Sequence, residues 1–327
     1  MGKSAFLKLN GSGLGLFLAF HLFFMGCLPA GKPPADSEVQ VKEVVRARIG
    51  MGPEALGVFT PQEASPEGPM SFAVGHAGEI YVLDQLNSRI QVFKDGRWLR
   101  SIPIPGVTFC DLEIMPDGRV ALLDNLVKEE VVIINTSGQP EETISLNRLE
   151  ITEPAAITGI YCRSEGLWPG LWAEAENRFI LLAGLDGKPA AEVKLLPGLL
   201  TPSGRRLLKI EMAGENQVRL FCSEDDFQTW KSYDIGFRLP VGIIYGPWED
   251  RAGNLYLAAN IFDGQSEDNE MVVLDHSGEE RNRIKMALSS GIHEVLKPVL
   301  VTPDGLIYQM AIEPENNCVV IRQYKLN

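Results

Sequence analysis

Two unrelated landmarks in this chain recur at one spacing: Gly78 and Gly118 lie 40 residues apart, and so do Asp84 and Asp124. That coincidence constrains the fold more than any composition figure, because it marks a structural unit repeated along the sequence. The best-preserved copy, residues 77–93, holds two short segments rich in β-branched and aromatic residues, 79–83 and 89–93, joined by a polar turn through Asp84 and Asn87. It reads as a β-hairpin. Looser copies start at Gly118, Gly170, Gly253 and Gly305, and a degenerate one runs through 205–212, 218–222 and 228–235. Together they make six units of about 40 to 50 residues each.

Several short strands per unit and no long helical pattern predict an all-β chain, a six-bladed β-propeller of four-stranded antiparallel blades. The ring follows from the needs of a sheet. A lone four-stranded blade has two apolar faces to bury, and radial packing covers both while leaving only short edges. Closure requires a clasp. The last copy ends after its third strand, and residues 38–49 alternate apolar and polar side chains through Val39, Val41, Val44, Val45 and Ile49. This N-terminal strand is expected to complete the last blade.

The first 37 residues carry an address. Lys3 and Lys8 precede a nearly unbroken apolar run, 14–25, followed by small Gly26 and then Cys27, which is the build of a secretory signal peptide over residues 1–26. The run is too short for a bilayer, which takes about twenty helical residues to cross. Phe24-Met25-Gly26-Cys27 resembles the bacterial lipobox, with Phe24 in place of the usual leucine and Met25 larger than the usual second residue. That resemblance implies a diacyl lipid on the Cys27 sulfur, with Cys27 as the mature N-terminus. Residues 27–37 hold three prolines and no periodicity, as a solvated tether does, and leave 38–327 for the propeller. The chain is thus expected to be exported and anchored to a membrane through the lipid. With Leu28 at the second mature position, similarity to lipoproteins of double-membraned bacteria places it at the outer membrane in such a host.

The formal charge is −13, and becomes about −15 once residues 1–26, with Lys3 and Lys8 and no acid, are removed. Acids scattered as in Glu129, Glu130, Glu141 and Glu142 suit a solvated exterior. Such a surface repels nucleic acid and anionic headgroups, so neither is an expected partner.

Within the repeats, Phe72-Ala-Val-Gly-His-Ala-Gly-Glu-Ile-Tyr-Val-Leu-Asp-Gln-Leu-Asn-Ser-Arg-Ile-Gln-Val-Phe93 resembles the unit of the NHL-type six-bladed β-propeller family. That unit is similar to Pro-x-Gly-Ile-Ala-Val-Asp-x-x-Gly-Asn-Ile-Tyr-Val-Ala-Asp-x-x-Asn-x-Arg-Ile-Gln-Val-Phe. Ile49-Gly-Met-Gly-Pro53 resembles the family's linker between blades. The first blade matches closely; the second, third, fifth and sixth keep the turn glycine and strand pattern, and the fourth keeps little. The resemblance implies binding through loops and the axial face, in a family where scaffolds outnumber enzymes. The expected function is a binding or scaffold module at the cell envelope for a protein, peptide or glycan. The alternative is a calcium-dependent lactonase- or esterase-like hydrolase, or a lyase, on the same ring.

The residues give catalysis little support. Asn87, Asn125, Asn177 and Asn260 recur near the ends of second-strand segments, where calcium would draw its oxygen ligands under the alternative, but short polar side chains there also bond turn backbone. Asp84, Asp124 and Glu176 recur at one offset from the turn glycine and take the same structural reading. His76, His276 and His293 make no ligand-like pair, and no nucleophile elbow or phosphate-cradling loop is present. No catalytic residue, metal ligand or resident cofactor is therefore assigned. Cys110 and Cys162 each lie eight residues before a repeat glycine, as a disulfide between adjacent blades or as free thiols facing the axis or packed between blades. The same offset gives Met70, Tyr245 and Lys297, with a looser alignment of Arg206, and the next positions add Asp111 and Arg163. These six form an expected rim around one channel mouth, a binding face or ordinary solvated strand ends. Trp168, Trp172, Trp230 and Trp248 divide between ligand stacking and packing between blades.

Overall fold

The computed structural model describes residues 39–63, 66–148, 153–224, 227–288 and 295–326. Cys27, the leader, the tether and His293 lie outside the described residues. The rest is a ring of six four-stranded antiparallel sheets. The first blade runs β2 (Phe72–Val74), β3 (Ile80–Asp84), β4 (Arg89–Lys94) and β5 (Arg97–Pro103). The second is β6 (Asp111–Ile114), β7 (Val120–Asp124), β8 (Glu130–Ile134) and β9 (Pro140–Ser145), and the third is β10 (Ile157–Arg163), β11 (Gly170–Ala175), β12 (Arg178–Ala183) and β13 (Leu195–Leu196). The fourth comprises β14 (Leu199–Leu200), β15 (Arg206–Gly214), β16 (Gln217–Glu224) and β17 (Lys231–Gly236). The fifth has β18 (Val241–Glu249), β19 (Leu255–Phe262), β20 (Glu267–Leu274) and β21 (Glu280–Met286). In the sixth, β22 (Val299–Val301), β23 (Ile307–Glu313) and β24 (Cys318–Leu326) are joined by β1 (Val39–Arg48).

Burial explains the composition of the strands. Every residue of β3 and β7 is buried, and so are Val131 to Ile134 of β8, because neighbouring blades cover both faces of the middle strands. Those strands are therefore continuous apolar runs rather than alternating ones. Outer strands such as β9, Pro-Glu-Glu-Thr-Ile-Ser, bury little besides Ile144. The apolar residues sort into six clusters, each joining two successive blades: Leu83 with Leu122, Ile133 with Leu171, Phe179 with Leu200, Leu220 with Leu257, Tyr256 with Ile307, and Val82 with Met310. The last of these closes the circle.

The clasp forms as expected. β1 pairs antiparallel with β24 from Val39 opposite Leu326 to Arg48 opposite Cys318, and so supplies the fourth strand of the sixth blade. A bulge between Glu43 and Val45 reverses which face the strand presents. Val45 and Ala47 therefore enter the cluster shared with the first blade, Val39 packs on the fifth-blade side, and Val41 is left 55% exposed.

Two blades depart from the sequence register. In the fourth, the segment expected as the first strand is the second one, β15; the true inner strand is only Leu199–Leu200, followed by a turn at Gly204 with φ +66°. In the third, the positive-φ glycine between β10 and β11 is Gly166, at φ +85°, whereas Gly170 is already in β11. Gly170 is small for another reason: a Cβ there would lie 2.6 Å from Leu181 Cδ1 and 2.7 Å from the Ala183 carbonyl oxygen.

Candidate functional site

The inner strands converge on the ring axis, where polar residues from four blades meet. Lys297, just before β22, places Nζ 2.9 Å from Asp111 Oδ2 and 3.6 Å from Glu113 Oε2, and donates to the Ile160 carbonyl at 3.1 Å. Asp111 also accepts from the Ser71 hydroxyl, from Leu112 N at 2.8 Å and from Ile160 N at 2.8 Å. Lys297 N in turn donates to Met70 O at 3.2 Å. Burial opposes the charge on Lys297, but Asp111 and Glu113, followed by Tyr161, raise its pKa overall. Burial lifts Glu113 above the usual carboxylate range, against the pull of Lys297. Two cavities lie along the channel, with Glu113 lining the first and Lys297 the second, and both share Tyr161 and Trp248.

The first cavity, of about 300 Å³, opens where the inner strands end, and all six blades line it. Glu113, Tyr161, Arg163 and Trp248 form its wall, with His76 and Glu165 exposed at the edge. Arg163 is buried; its Nε donates to Leu200 O at 2.7 Å, and its guanidinium lies 5.1 Å from the Tyr161 ring centroid. Burial lowers the Arg163 pKa while Glu113 opposes that shift. Cys162 also lines this cavity, and burial first, then Glu113, pushes its thiol up to about 12, far from nucleophilic.

The second cavity, of about 370 Å³, opens at the opposite end of the inner strands, between the third to sixth blades. Tyr161, Glu174, Tyr245, Trp248 and Lys297 line it. Glu174, on β11, is half-buried and accepts from Asn177 N at 2.9 Å; burial lifts its pKa to about 7. Glu176, not Glu174, lies at the repeated offset from the turn glycine. Glu176 sits in a tight turn with Asn177, at φ +52° and +59°, pairing with Arg178 in solvent.

The six expected rim residues thus separate. Asp111 and Lys297 meet directly, with Met70 bonded to Lys297 through its backbone, while Tyr245 shares the second cavity with Lys297. Arg163 belongs to the first cavity, because it ends its inner strand, whereas Asp111 begins one and Met70 and Lys297 precede theirs. Arg206 starts the second strand of its blade and lines neither cavity; it pairs with Glu249 and Glu224, both at 3.2 Å. Cys110 and Cys162 are not brought together. All four described cysteines are free thiols, and Cys110 donates to Asn125 Oδ1 at 3.1 Å. Cys110 precedes its inner strand whereas Cys162 lies near the end of its own, the same register slip that misplaced Gly170.

The repeated acids and amides hold the ring together. Asp84, fully buried, accepts from Gly57 N at 2.7 Å and pairs with Arg89 at 2.7 Å; Asp124 accepts from Thr108, Val127 N and Lys128 N. Asn125 donates to Ile157 O at 3.0 Å and Asn177 bonds both backbone groups of Ile210, so these amides stitch one blade to the next rather than only bonding their own turns. Among the described residues no group of three His, Cys, Asp or Glu side chains could hold a metal ion, and His76 and His276 are exposed in turns. Trp172 is buried and stacked on Phe179; Trp168 and Trp230 pack at the same core, leaving Trp248 at the channel.

Comparison with known proteins extends to the fold. No family model matches this chain, and no curated protein matches it. Among solved structures, a DUF4221-family member from Bacteroides vulgatus is similar at a TM-score of 0.51 and 12% identity, covering 90% of this chain and 99% of that one. Virginiamycin B lyase from Staphylococcus aureus aligns at 0.43 and 14% identity, over 89% and 100% of the two chains. A luciferin-regenerating enzyme aligns at 0.47 and 12%, over 79% and 91%. The first is a likeness of fold alone, and the activities named in the other two belong to those proteins.

Proposed function

We propose that this chain is an exported, lipid-anchored propeller of NHL type that binds a protein, peptide or glycan partner at the six-blade mouth of its channel. The observation that carries this reading is the first cavity, walled by Tyr161 and Trp248 and flanked by the opposite charges of Glu113 and Arg163. Concave, largely apolar sites with a few convergent polar groups are where ligands bind. Binding is favoured over calcium chemistry because the carboxylates nearest the axis, Asp111 and Glu113, are already engaged by the ammonium of Lys297. A cation occupies the place where free oxygens would have to converge on a metal.

The test uses the full chain on glycan and peptide arrays beside Ser164→Trp, which fills the mouth from an exposed position outside the core. Hits that the variant loses support the reading; hits retained by the variant, or none on either array, overturn it. For the anchor, a fatty-acid analogue should label the wild type and not Cys27→Ala. No label on the wild type, or label surviving in the variant, rejects lipidation.

A further inference from the structure

The second cavity lies at the opposite mouth from the proposed partner site and has a different chemical character. Two acids line it: Glu176, in the exposed turn, and Glu174, directly opposite Gly159 in the register of β10 and β11. Gly159 is where the cavity is made: a Cβ there would lie 3.0 Å from the Tyr161 hydroxyl, so glycine lets the phenol lie along β10 beside Glu174. Gly246 serves Trp248 in the same way, since its missing Cβ would fall 2.6 Å from the indole ring. Tyr245 adds a third aromatic side chain, half-buried.

The charges around Glu174 are unbalanced. The groups that act on Glu174 are the Asn177 amide, which favours ionisation, and the like charge of Glu176, which disfavours it. Arg178 is engaged by Glu176, and Ile210 and Met212 of the fourth blade contribute apolar surface. Lys297 closes the floor, with its ammonium held by Asp111 and the Ile160 carbonyl and 4.9 Å from the Tyr161 ring centroid, so that ring is already engaged by Lys297 and Arg163. A half-buried carboxyl among three aromatic side chains needs a cation from outside to ionise comfortably.

We propose that the second cavity binds an organic ammonium group, primary or methylated, between Glu174 and the rings of Tyr245 and Trp248, with the Tyr161 hydroxyl at its edge. The carboxyl gives up its proton to solvent as the cation enters, and the rings face the alkylated nitrogen. Binding is therefore linked to proton release. Glu174 is mostly protonated before the ligand arrives at pH 6, because burial holds its pKa at about 7. Roughly one proton leaves per cation bound at pH 6 and almost none at pH 8.5.

Calorimetry on the full chain in buffers of different ionisation enthalpy tests this, with two probes: tetramethylammonium chloride and a short peptide bearing one trimethyl-lysine. Expected are saturable binding that strengthens from pH 6 to 8, proton release at pH 6, and at least a tenfold loss of affinity with no proton release in Glu174→Gln. Tyr245→Leu should also weaken binding, while Ser164→Trp at the other mouth should not. Tighter binding of the peptide identifies a modified side chain as the source of the cation, and equal binding identifies a small free ammonium ion. No saturable binding of either probe at millimolar concentration, or an unchanged affinity in Glu174→Gln, overturns the proposal. A Glu174→Gln chain that unfolds at the same denaturant midpoint as wild type, or a higher one, at pH 8 shows that lost binding is not lost folding.

Discussion

Replacing Lys297 by Met should weaken the ring measurably, by an amount that its surroundings bound. Lys297 is 7% exposed and its partner Asp111 0%, so the pair sits where removing one charge strands the other. Breaking a buried pair from one side costs about 3 to 5 kcal/mol. Asp111 would still accept from Ser71, Leu112 N and Ile160 N, and Glu113 would escape by protonating, since burial already lifts it. Charge-assisted hydrogen bonds of that kind are worth about 1.5 to 3 kcal/mol each, which puts Lys297→Met at the lower end, about 3 kcal/mol. In thermal terms that is a fall of about 5 to 8 °C for a chain of this size. The decisive assay is a double-mutant cycle by urea unfolding, with Asp111→Asn as the second arm. If the pair acts as a unit, the double variant loses less than the sum of the singles by at least about 1.5 kcal/mol. Strict additivity, or a loss under about 1 kcal/mol for Lys297→Met alone, would refute the axial pair as a structural element.

Removing residues 39–48 should open the ring, because β1 completes the sixth blade and feeds two inter-blade clusters; an unchanged melting temperature would show that the clasp carries no stability. Gly138→Ala should cost at least about 2 kcal/mol, since its φ is +87° and a Cβ would meet the Pro103 carbonyl oxygen at 2.3 Å. Gly78→Ala, at φ +81° with nothing nearby, should cost only about 1 kcal/mol, and equal denaturant midpoints for the two would contradict the packing argument. Glu174 has its pKa raised from 4.5 to about 7 in the fold, so its contribution is intact below pH 4.5 and is lost as pH rises through 7. Glu174→Gln should therefore gain about 2 kcal/mol on the wild type between pH 4.5 and pH 8, after allowance for partial exposure, and a gap that does not change with pH would contradict the burial of this carboxyl.

The sequence determined the architecture because the repeat is a local record of it. Turn glycines such as Gly78, Gly118, Gly253 and Gly305 are needed where φ is positive, and apolar runs such as Val-Ala-Leu-Leu at 120–123 are needed where both faces of a strand are covered. Those demands act within a few residues, so a single chain displays them, and the clasp could be inferred from a blade that lacked a strand. Where the loop after β10 lengthened, between Arg163 and Gly170, and where the inner strand of the fourth blade shrank to Leu199–Leu200, the spacing stopped reporting the register. Arg206, Cys162 and Glu176 were displaced from their expected positions for that reason.

Only the tertiary structure decided which charges meet. Lys297 and Asp111 are far apart in sequence and adjacent in space because the ring brings the sixth blade against the first, within reach of the second. Glu174 reads in the sequence as one acid among many, and its character comes from burial beside Tyr161 across a strand pair in which Gly159 has no side chain. Turn chemistry is set by neighbours along the chain, whereas a buried charge is set by whatever the closed ring places around it, and the sequence writes down only the first of these.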